Sequence, residues 1–264
     1  MKRILGSLRR LLGLRADAPL VRTLDAPPAV PEGERIYVVG DIHGRADLLR
    51  RLLNAIGRDS ATRPPARGRM IVLGDFIDRG GESAAAARLL MRMDLQLNAV
   101  TVLKGNHEAT LLDVLNGDFE ALDFWLAHGG RASLASWNVP EELTEPCRER
   151  ELVAVLRDRI GAEMIGWLAG LPTHVIRGDY LFVHAGIRPG IPVGRQKPHD
   201  LLWIREPFLQ HDGQHEFVVV HGHTIVEDGP RHYGNRIAVD TGAYLTGQLG
   251  ALGLQGYDHW TVRS

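Results

Sequence analysis

An α/β fold is what this sequence predicts, on two observations. Between residues 35 and 108, short apolar runs alternate with stretches of helical spacing. Tyr37–Gly40, Met70–Gly74 and Val100–Lys104 read as strands. Between them, Leu48, Leu49, Leu52, Leu53 and Ile56 recur at helical spacing, and Glu82–Met93 is an alanine-rich helical stretch. Strand, helix, strand, helix, strand is the order of a parallel sheet covered by helices. The second observation is that each strand ends in polar, ligand-type residues, where α/β sheets collect their ligands. Asp59–Gly68, with two prolines and a glycine, reads as loop.

The first strand end carries Gly40-Asp41-Ile42-His43-Gly44. Residues two apart on an extended segment point the same way, so one carboxylate and one imidazole aim at one point. That pairing suits a divalent metal. The second strand end carries Asp75, Asp78, Arg79 and Gly80, and the third Gly105, Asn106, His107 and Glu108. Taken singly, Asp41 or Asp75 would be an ordinary turn residue and Arg79 a solvated surface arginine. Three equivalent strand ends in succession make a site.

The whole chain sets bounds. Its 264 residues, 44% apolar and 24% charged, suffice for one large domain with a sizeable core. A net charge of −1 gives no global reason to expect nucleic acid as a partner. Cys147 is the single cysteine, so no intrachain disulfide forms, and a reducing compartment such as the cytoplasm is expected. No apolar run approaches the ~20 residues of a membrane-spanning helix.

Residues 1–34 stand apart. Ile4, Leu5, Leu8, Leu11 and Leu12 share one helical face, while Lys2, Arg3, Arg9, Arg10 and Arg15 supply only positive charge. Residues 1–15 thus suit either peripheral contact with an anionic membrane or docking on the chain's own domain, the commoner outcome for such patterns. Ala16–Arg35, with four prolines, reads as a linker. The catalytic domain is expected over 35–264. Within it, a mostly helical insertion at about 109–171, interrupted by a loop-like Gly129–Pro146, is expected to cap the site. Trp125, Trp137 and Trp167 read as its packing. Strands then resume at His174–Arg177, Tyr180–Val183, Val218–Val220, Arg236–Val239 and Leu249–Gln255. Two of these also run into histidine, at His184 and at His221-Gly222-His223, and imidazoles there would complete a second metal position.

A dinuclear site needs two ions ~3.5–4 Å apart with a shared ligand, and Asp75 is the middle candidate. Such a pair makes hydroxide at neutral pH and neutralises a phosphoryl group. Arginines add bidentate contacts to phosphate oxygens. A departing alkoxide needs a proton, so a histidine beside the metals is expected.

Gly40-Asp-Ile-His-Gly44, Gly74-Asp-Phe-Ile-Asp-Arg-Gly80 and Gly105-Asn-His-Glu108 resemble the signature of the calcineurin-like metallophosphoesterases. More narrowly they look like the phosphoprotein phosphatase branch, especially its small bacterial and phage-type serine/threonine phosphatases. His184 in Val-His-Ala-Gly-Ile-Arg-Pro, His223 in His-Gly-His-Thr and Arg205 in Leu-Leu-Trp-Ile-Arg extend the likeness to the C-terminus. The resemblance implies a central β-sandwich flanked by helices on both faces. It implies Asp41, His43 and Asp75 as ligands of a first ion, and Asp75, Asn106, His184 and His223 as ligands of a second. The ions would be two divalent metals, manganese first, with iron or zinc as alternatives. By the same likeness His107 is the general acid, Asp78 the carboxylate that orients it, and Arg79, Arg205 and Asn106 bind substrate. Wider relatives carry a further histidine where this chain has Ile225, which fits the phosphoprotein phosphatase branch. His221 is expected to be structural, Glu108 to support its loop, and Asp240-Thr-Gly-Ala243 to be a strand-end turn. His128-Gly129-Gly130 recurs in the bacterial relatives and reads as a turn after a helix.

The function so implied is hydrolysis of phosphoserine, phosphothreonine or phosphotyrosine in proteins. The alternative is hydrolysis of a nucleotide such as diadenosine tetraphosphate. A silent binding module would be expected to have lost ligands, and none is lost. Cysteine-phosphatase chemistry fails because Val153, not arginine, lies six residues after Cys147, and no lysine sits in a Walker loop.

Overall fold

The computed structural model of the protein describes residues 27–226 and 228–264. The basic segment 1–15 and most of the linker lie outside the described residues. The linker's end is not loose: the Ala29 carbonyl accepts the Asp179 N–H at 2.9 Å, the Val30 N–H donates to Gly256 at 3.2 Å, and Val30 is buried. Domain packing therefore begins a few residues before Arg35.

Two five-stranded sheets face each other. The first has the order β10-β9-β1-β2-β3, from β1 (Glu34–Val39), β2 (Arg67–Val72), β3 (Val100–Val102), β9 (Gly250–Gln255) and β10 (Asp258–Arg263). The second has the order β4-β5-β6-β8-β7, from β4 (His174–Arg177), β5 (Tyr180–Val183), β6 (Val218–His221), β7 (Arg231–His232) and β8 (Arg236–Ala238). Every residue of β1 is buried, because both faces of its sheet are covered. Ile36 and Val38 alternate onto the inner side, meeting Phe182, Val220, Ile237 and Val239 of the second sheet. Tyr37 and Val39 alternate onto the outer side, meeting Leu48, Leu49 and Leu52. These leucines lie on α1 (Ala46–Thr62), which with α2 (Ser83–Gln96) makes the two parallel crossovers. The outer face of the second sheet, at Leu181, Val183 and Val219, is covered by Leu201, Ile204 and Phe208, in and after α8 (Pro198–Trp203). The expected sandwich with helices on both faces is thus present.

The helical insertion runs through α3 (Asn106–Leu115), α4 (Phe119–Trp125), α5 (Arg131–Ser136), α6 (Glu149–Ile160) and α7 (Ala162–Gly170). Its apolar residues, among them Leu111, Leu122, Trp125, Leu134 and Leu156, join the same core as Tyr37 and Val39. The expected loop 129–146 instead contains α5 and a short 3₁₀ turn at Glu141–Thr144, because Leu134, Trp137 and Leu143 bury into that core. Likewise α1 runs to Thr62 where loop was expected from Asp59. Asp59 pairs one turn on with Arg63, and Pro64 then holds Arg63 in extended backbone and stops the helix.

The parallel registers set the site. Val39 pairs with Val72 and Val72 with Val102, so β1, β2 and β3 end level. Val183, His221 and Ala238 end level in the second sheet. The loops after these strands meet along one edge of the sandwich. There the Ile42 and His43 N–H groups donate to the Asp75 carbonyl at 3.0 and 2.9 Å, and the Gly222 N–H to the His184 carbonyl at 2.8 Å.

Candidate metal centre

Asp41, His43, Asp75, Arg79, Arg205 and His223, with Thr224, Ile225 and Tyr244, line one cavity of about 360 Å³. His43, Asp75, Asp78, Arg79 and His223 all adopt left-handed backbone, with φ of 44°, 47°, 69°, 65° and 61°. Non-glycine residues enter that region at a cost in strain, and such strain clusters at functional sites. The strand-end turns are therefore tightened to aim side chains inward. Glu108 braces one of them: its carboxylate accepts the N–H groups of Asp75, Phe76, Ile77 and Gly105 at 2.8, 2.9, 3.3 and 2.9 Å. This is the loop-supporting role expected of it. Gly105 has no alternative here, since a Cβ would run into Asp75.

Asp75 is the centre of the cluster. Its Oδ2 lies 3.4 Å from His184 Nε2, 3.7 Å from His43 Nε2 and 3.9 Å from His107 Nε2. Burial alone would push its carboxyl up, but the imidazoles of His184, His107 and His43 outweigh burial and hold it well below the usual carboxylate range. The histidines are oriented from behind. His43 Nδ1 donates to the Ile77 carbonyl at 2.9 Å, and His184 Nδ1 to the Leu73 carbonyl at 2.9 Å. Both Nε2 atoms then face the site as acceptors.

This donor set fits metal ions. His184 Nε2 faces Asn106 Oδ1 at 2.8 Å and Asp75 Oδ2 at 3.4 Å, so three acceptors surround one point and call for a cation or a proton. Two donors ~2.1 Å from one ion at the tetrahedral angle lie ~3.4 Å apart, which is the His184–Asp75 spacing. Ligand atoms of Asp75, His184 and His223 lie within 4.8 Å of one another, and so do those of His43, Asp75 and His107. The second expected set is thus brought together. The other grouping joins His43 and Asp75 of the first expected set with His107, and Asp41 is not part of it. Asp41 lines the same cavity, but its carboxylate accepts the His223 N–H at 3.0 and 3.2 Å. Its carboxyl is raised well above the usual range by burial and by the Asp240 and Asp75 carboxylates. Asp240, expected only as a turn, is itself pushed up to about 6, chiefly by burial. Crowded buried carboxylates of this kind are relieved by a cation.

His107 differs from the other histidines. Its Nδ1 meets Asp78 Oδ2 at 2.6 Å, a carboxylate in place of a carbonyl. Burial would lower its pKa, but Asp75 and Asp78 outweigh burial and raise it. His43 and His223, by contrast, are each pushed down to about 3 by burial and stay neutral. His221 points away from the cavity: its Nδ1 lies 3.0 Å from the Gly222 carbonyl and its ring sits edge-on to Phe208. Arg79 reaches over the cluster, with Nη1 2.9 Å from His43 Nε2 and Nη2 3.2 Å from His107 Nε2. Arg205 lines the same cavity, its Nη2 donating to the His223 carbonyl at 3.3 Å.

Four residues that sequence reasoning passed over also serve the site. Tyr244 sits edge-on to His43 at 5.2 Å and beneath the Arg79 guanidinium at 4.6 Å. Trp125, read as packing, donates its indole N–H to Asp78 Oδ2 at 2.8 Å. The Ser133 hydroxyl donates to Asp78 Oδ1 at 2.5 Å. Gly129, read as a plain turn, accepts the Arg79 N–H at 3.1 Å. A tryptophan read as pure packing could have been questioned, since its buried N–H must find an acceptor. The recurring His-Gly-Gly turn marks Gly129 without giving it a role, and nothing local flags Tyr244 or Ser133.

Comparison with known proteins agrees with this geometry. The family model described as calcineurin-like phosphoesterase matches residues 34–247. The symmetrical bis(5′-nucleosyl)-tetraphosphatase of Acidovorax sp. (strain JS42) is 31% identical over 188 residues, 70% of this chain and 51% of that protein. Serine/threonine-protein phosphatase 2 of Salmonella typhimurium is 30% identical over 231 residues, 81% of this chain and 90% of that one. The chain thus spans about half the length of the symmetrical tetraphosphatase and most of the length of the phosphatase. Among solved structures, the cold-active protein-tyrosine phosphatase of a psychrophilic Shewanella superposes with a TM-score of 0.53 at 20% identity, over 89% of this chain and 83% of that one. At that identity the likeness speaks for the fold alone. With sandwich, strand-end ligands and matched sequence in agreement, the chain belongs to the calcineurin-like phosphoesterases, a family of dinuclear-metal hydrolases.

Proposed function

We propose that this chain is a metal-dependent phosphomonoesterase that acts on phosphoserine and phosphothreonine in proteins. Asp41, His43 and Asp75 would hold one divalent ion, and Asp75, Asn106, His184 and His223 the other. Ions held there, manganese foremost, supply hydroxide at neutral pH and neutralise phosphoryl charge. The observation that carries the reading is the meeting of a cavity-lining arginine with the proposed acid. Arg79 and Arg205 line the cavity with Asp41, His43, Asp75 and His223, and the Arg79 guanidinium touches His107 Nε2 at 3.2 Å. A phosphoryl group held by both arginines would bring its leaving oxygen to His107. Asp78, at 2.6 Å, keeps the imidazole's Nδ1 protonated and stabilises the imidazolium. His107 Nε2–H then donates to the departing oxygen.

A second reading is hydrolysis of a dinucleoside tetraphosphate, favoured by the Acidovorax relative at 31% identity. Hydroxide attacks phosphorus in both, but the ester releases an alkoxide from a terminal phosphoryl group, whereas the dinucleotide breaks an internal anhydride bond and releases a nucleotide. One experiment separates them. Protein loaded with manganese, iron or zinc is assayed on a phosphoserine peptide, a phosphotyrosine peptide and diadenosine tetraphosphate. Higher kcat/KM on the phosphoserine peptide supports the first reading. Higher kcat/KM on the dinucleotide replaces it with the second. Turnover by thoroughly chelated protein at the loaded rate would sink both.

A further inference from the structure

Asp78 and Arg79 share a physical difficulty. They are consecutive, neither is glycine, and both sit in left-handed backbone, with φ of 69° and 65°. Such a pair persists only where its surroundings hold it. Asp78 is fully buried, so its carboxyl oxygens also need hydrogen-bond partners. Much of this support comes from one stretch of the helical insertion. The Trp125 indole donates to Asp78 Oδ2 at 2.8 Å, beside the His107 bond to the same oxygen. The Ser133 hydroxyl donates to Oδ1 at 2.5 Å, and its oxygen takes the Asp78 N–H at 3.0 Å. Ser83 Oγ shares that N–H at 2.9 Å. One residue further on, the Arg79 N–H donates to the Gly129 carbonyl at 3.1 Å.

The stretch is shaped for these contacts. Between α4 and α5 the chain makes a kinked turn, Leu126–Gly130, in which His128 and Gly129 leave helical backbone and Gly129 has φ of 114°. A Cβ on Gly129 would lie 2.7 Å from Arg79 Cγ and 2.8 Å from its nitrogen, so a side chain there would push the arginine out of place. Trp125 and Leu134, on either side of the turn, are buried in the core shared with β1. The turn is therefore rooted in the domain and does not ride on a mobile lid. Both donors that this stretch supplies to the Asp78 carboxylate are neutral. An indole and a hydroxyl fix the carboxylate's rotation while leaving its charge to act on the His107 imidazolium, where a lysine or arginine would have neutralised it.

We infer that Trp125–Ser133 is a positioning element with two separate outputs: Trp125 and Ser133 set the Asp78–His107 pair, and Gly129 sets the phosphate-binding Arg79. The inference rests on the roles given to His107 and Arg79 above. It assigns a use to the His-Gly-Gly turn and to a tryptophan that would otherwise be packing.

The test is steady-state kinetics of Trp125→Phe, Ser133→Ala, Ser133→Thr, Gly129→Ala and His107→Asn on two substrates. One is a phosphoserine peptide, whose alkoxide needs a proton to leave. The other is nitrophenyl phosphate, whose phenolate does not. Trp125→Phe and Ser133→Ala are expected to lower kcat about tenfold on the peptide, as for one lost hydrogen bond to a charged group. They should do much less on nitrophenyl phosphate and leave KM nearly unchanged. Ser133→Thr should restore the rate. Gly129→Ala should raise KM on both substrates alike, because Arg79 meets the phosphoryl group common to them. Thermal unfolding controls for folding, and Ser133→Ala, a one-atom deletion, carries the test should Trp125→Phe fail to fold. Equal losses on the two substrates, or none, for Trp125→Phe and Ser133→Ala would overturn the inference if His107→Asn itself shows the skew. A His107→Asn variant without skew removes the acid assignment instead.

Discussion

His107 Nδ1 lies 2.6 Å from Asp78 Oδ2, while the Nε2 of the same ring lies 3.2 Å from Arg79 Nη2. One imidazole thus joins a buried carboxylate to a phosphate-type arginine. In this arrangement the ring is protonated on the buried side and its Nε2 accepts from the arginine, so a phosphoryl group that draws Arg79 onto itself would let Nε2 carry the proton for the leaving oxygen. General acid catalysis contributes roughly 10²–10⁴-fold. His107→Asn is expected to forfeit much of that on a phosphoserine peptide and far less on nitrophenyl phosphate. Asp78→Asn should show the same skew at smaller size, since Asp78 acts through the imidazole. Arg79→Ala, which meets the phosphoryl group in both substrates, should slow the two about equally. Equal slowing by His107→Asn, with metal content unchanged, would move His107 from acid to metal-site organiser.

Asp75 Oδ2 is the atom on which His43, His107 and His184 converge at 3.7, 3.9 and 3.4 Å. A carboxylate so placed would be shared by both proposed ions. Purified protein should carry about two transition-metal ions. Asp75→Asn should lower bound metal at both positions together, whereas His43→Ala should deplete chiefly one. Metal content by elemental analysis decides the matter. An Asp75→Asn variant retaining a full complement would contradict the bridging role.

Glu108 is buried and accepts four backbone N–H groups, from Asp75, Phe76, Ile77 and Gly105. Glu108→Ala would leave those donors without an acceptor, at about 1–3 kcal/mol each where water cannot enter. The expected loss is several kcal/mol in denaturant unfolding. Bound metal should fall as well, because the left-handed turn at Asp75 loses its brace. Unchanged metal affinity in a destabilised variant would confine Glu108 to a folding role.

The parts of this site that were legible in the sequence are those carried by local pattern. Asp41 and His43 follow one strand, Asp75 to Arg79 another, Asn106 and His107 a third, so ligand chemistry and strand ends could be read together. Trp125 and Ser133 could not be read in this way. They meet Asp78 from 47 and 55 positions away, through a helical layer whose packing direction no local periodicity reports. Short elements were lost for a related reason. α5 is six residues long and β7 only two, too short for a period to show; α5 exists because Leu134 buries into the core and β7, exposed, because it pairs with β8. α1 outran its expected end because Asp59, a loop-type residue by composition, found partners on distant strands.

Asp59 is one such partner network, away from the metal centre. Its carboxylate accepts from Arg63 Nε and Nη2 at 2.7 and 2.9 Å, from the Tyr37 hydroxyl at 2.6 Å and from Trp260 Nε1 at 3.0 Å. The Arg63 guanidinium in turn lies 3.4 Å above the Trp260 ring. Helix α1, β1 and β10 are thereby tied together. The Arg63 hydrogen bond, with lesser help from Tyr37 and Trp260, outweighs burial and holds the Asp59 pKa below its ordinary value. Tyr37 moves the other way, pushed up to about 12 by burial first and by Asp59 second, so it donates throughout the neutral range. A carboxyl whose pKa is depressed by folding stabilises the fold above its unfolded pKa, ~3.9, and loses that contribution as pH falls through the folded value. Asp59→Asn keeps an acceptor oxygen but removes the charge. It should cost about 1–3 kcal/mol at pH 7, as for hydrogen bonds to a charged group. The gap between wild type and variant should stay constant down to about pH 4 and shrink below it, because the wild type itself becomes neutral there. Urea unfolding at several pH values measures that gap. A gap that persists unchanged to pH 3 would mean that shape, not charge, is what Asp59 supplies.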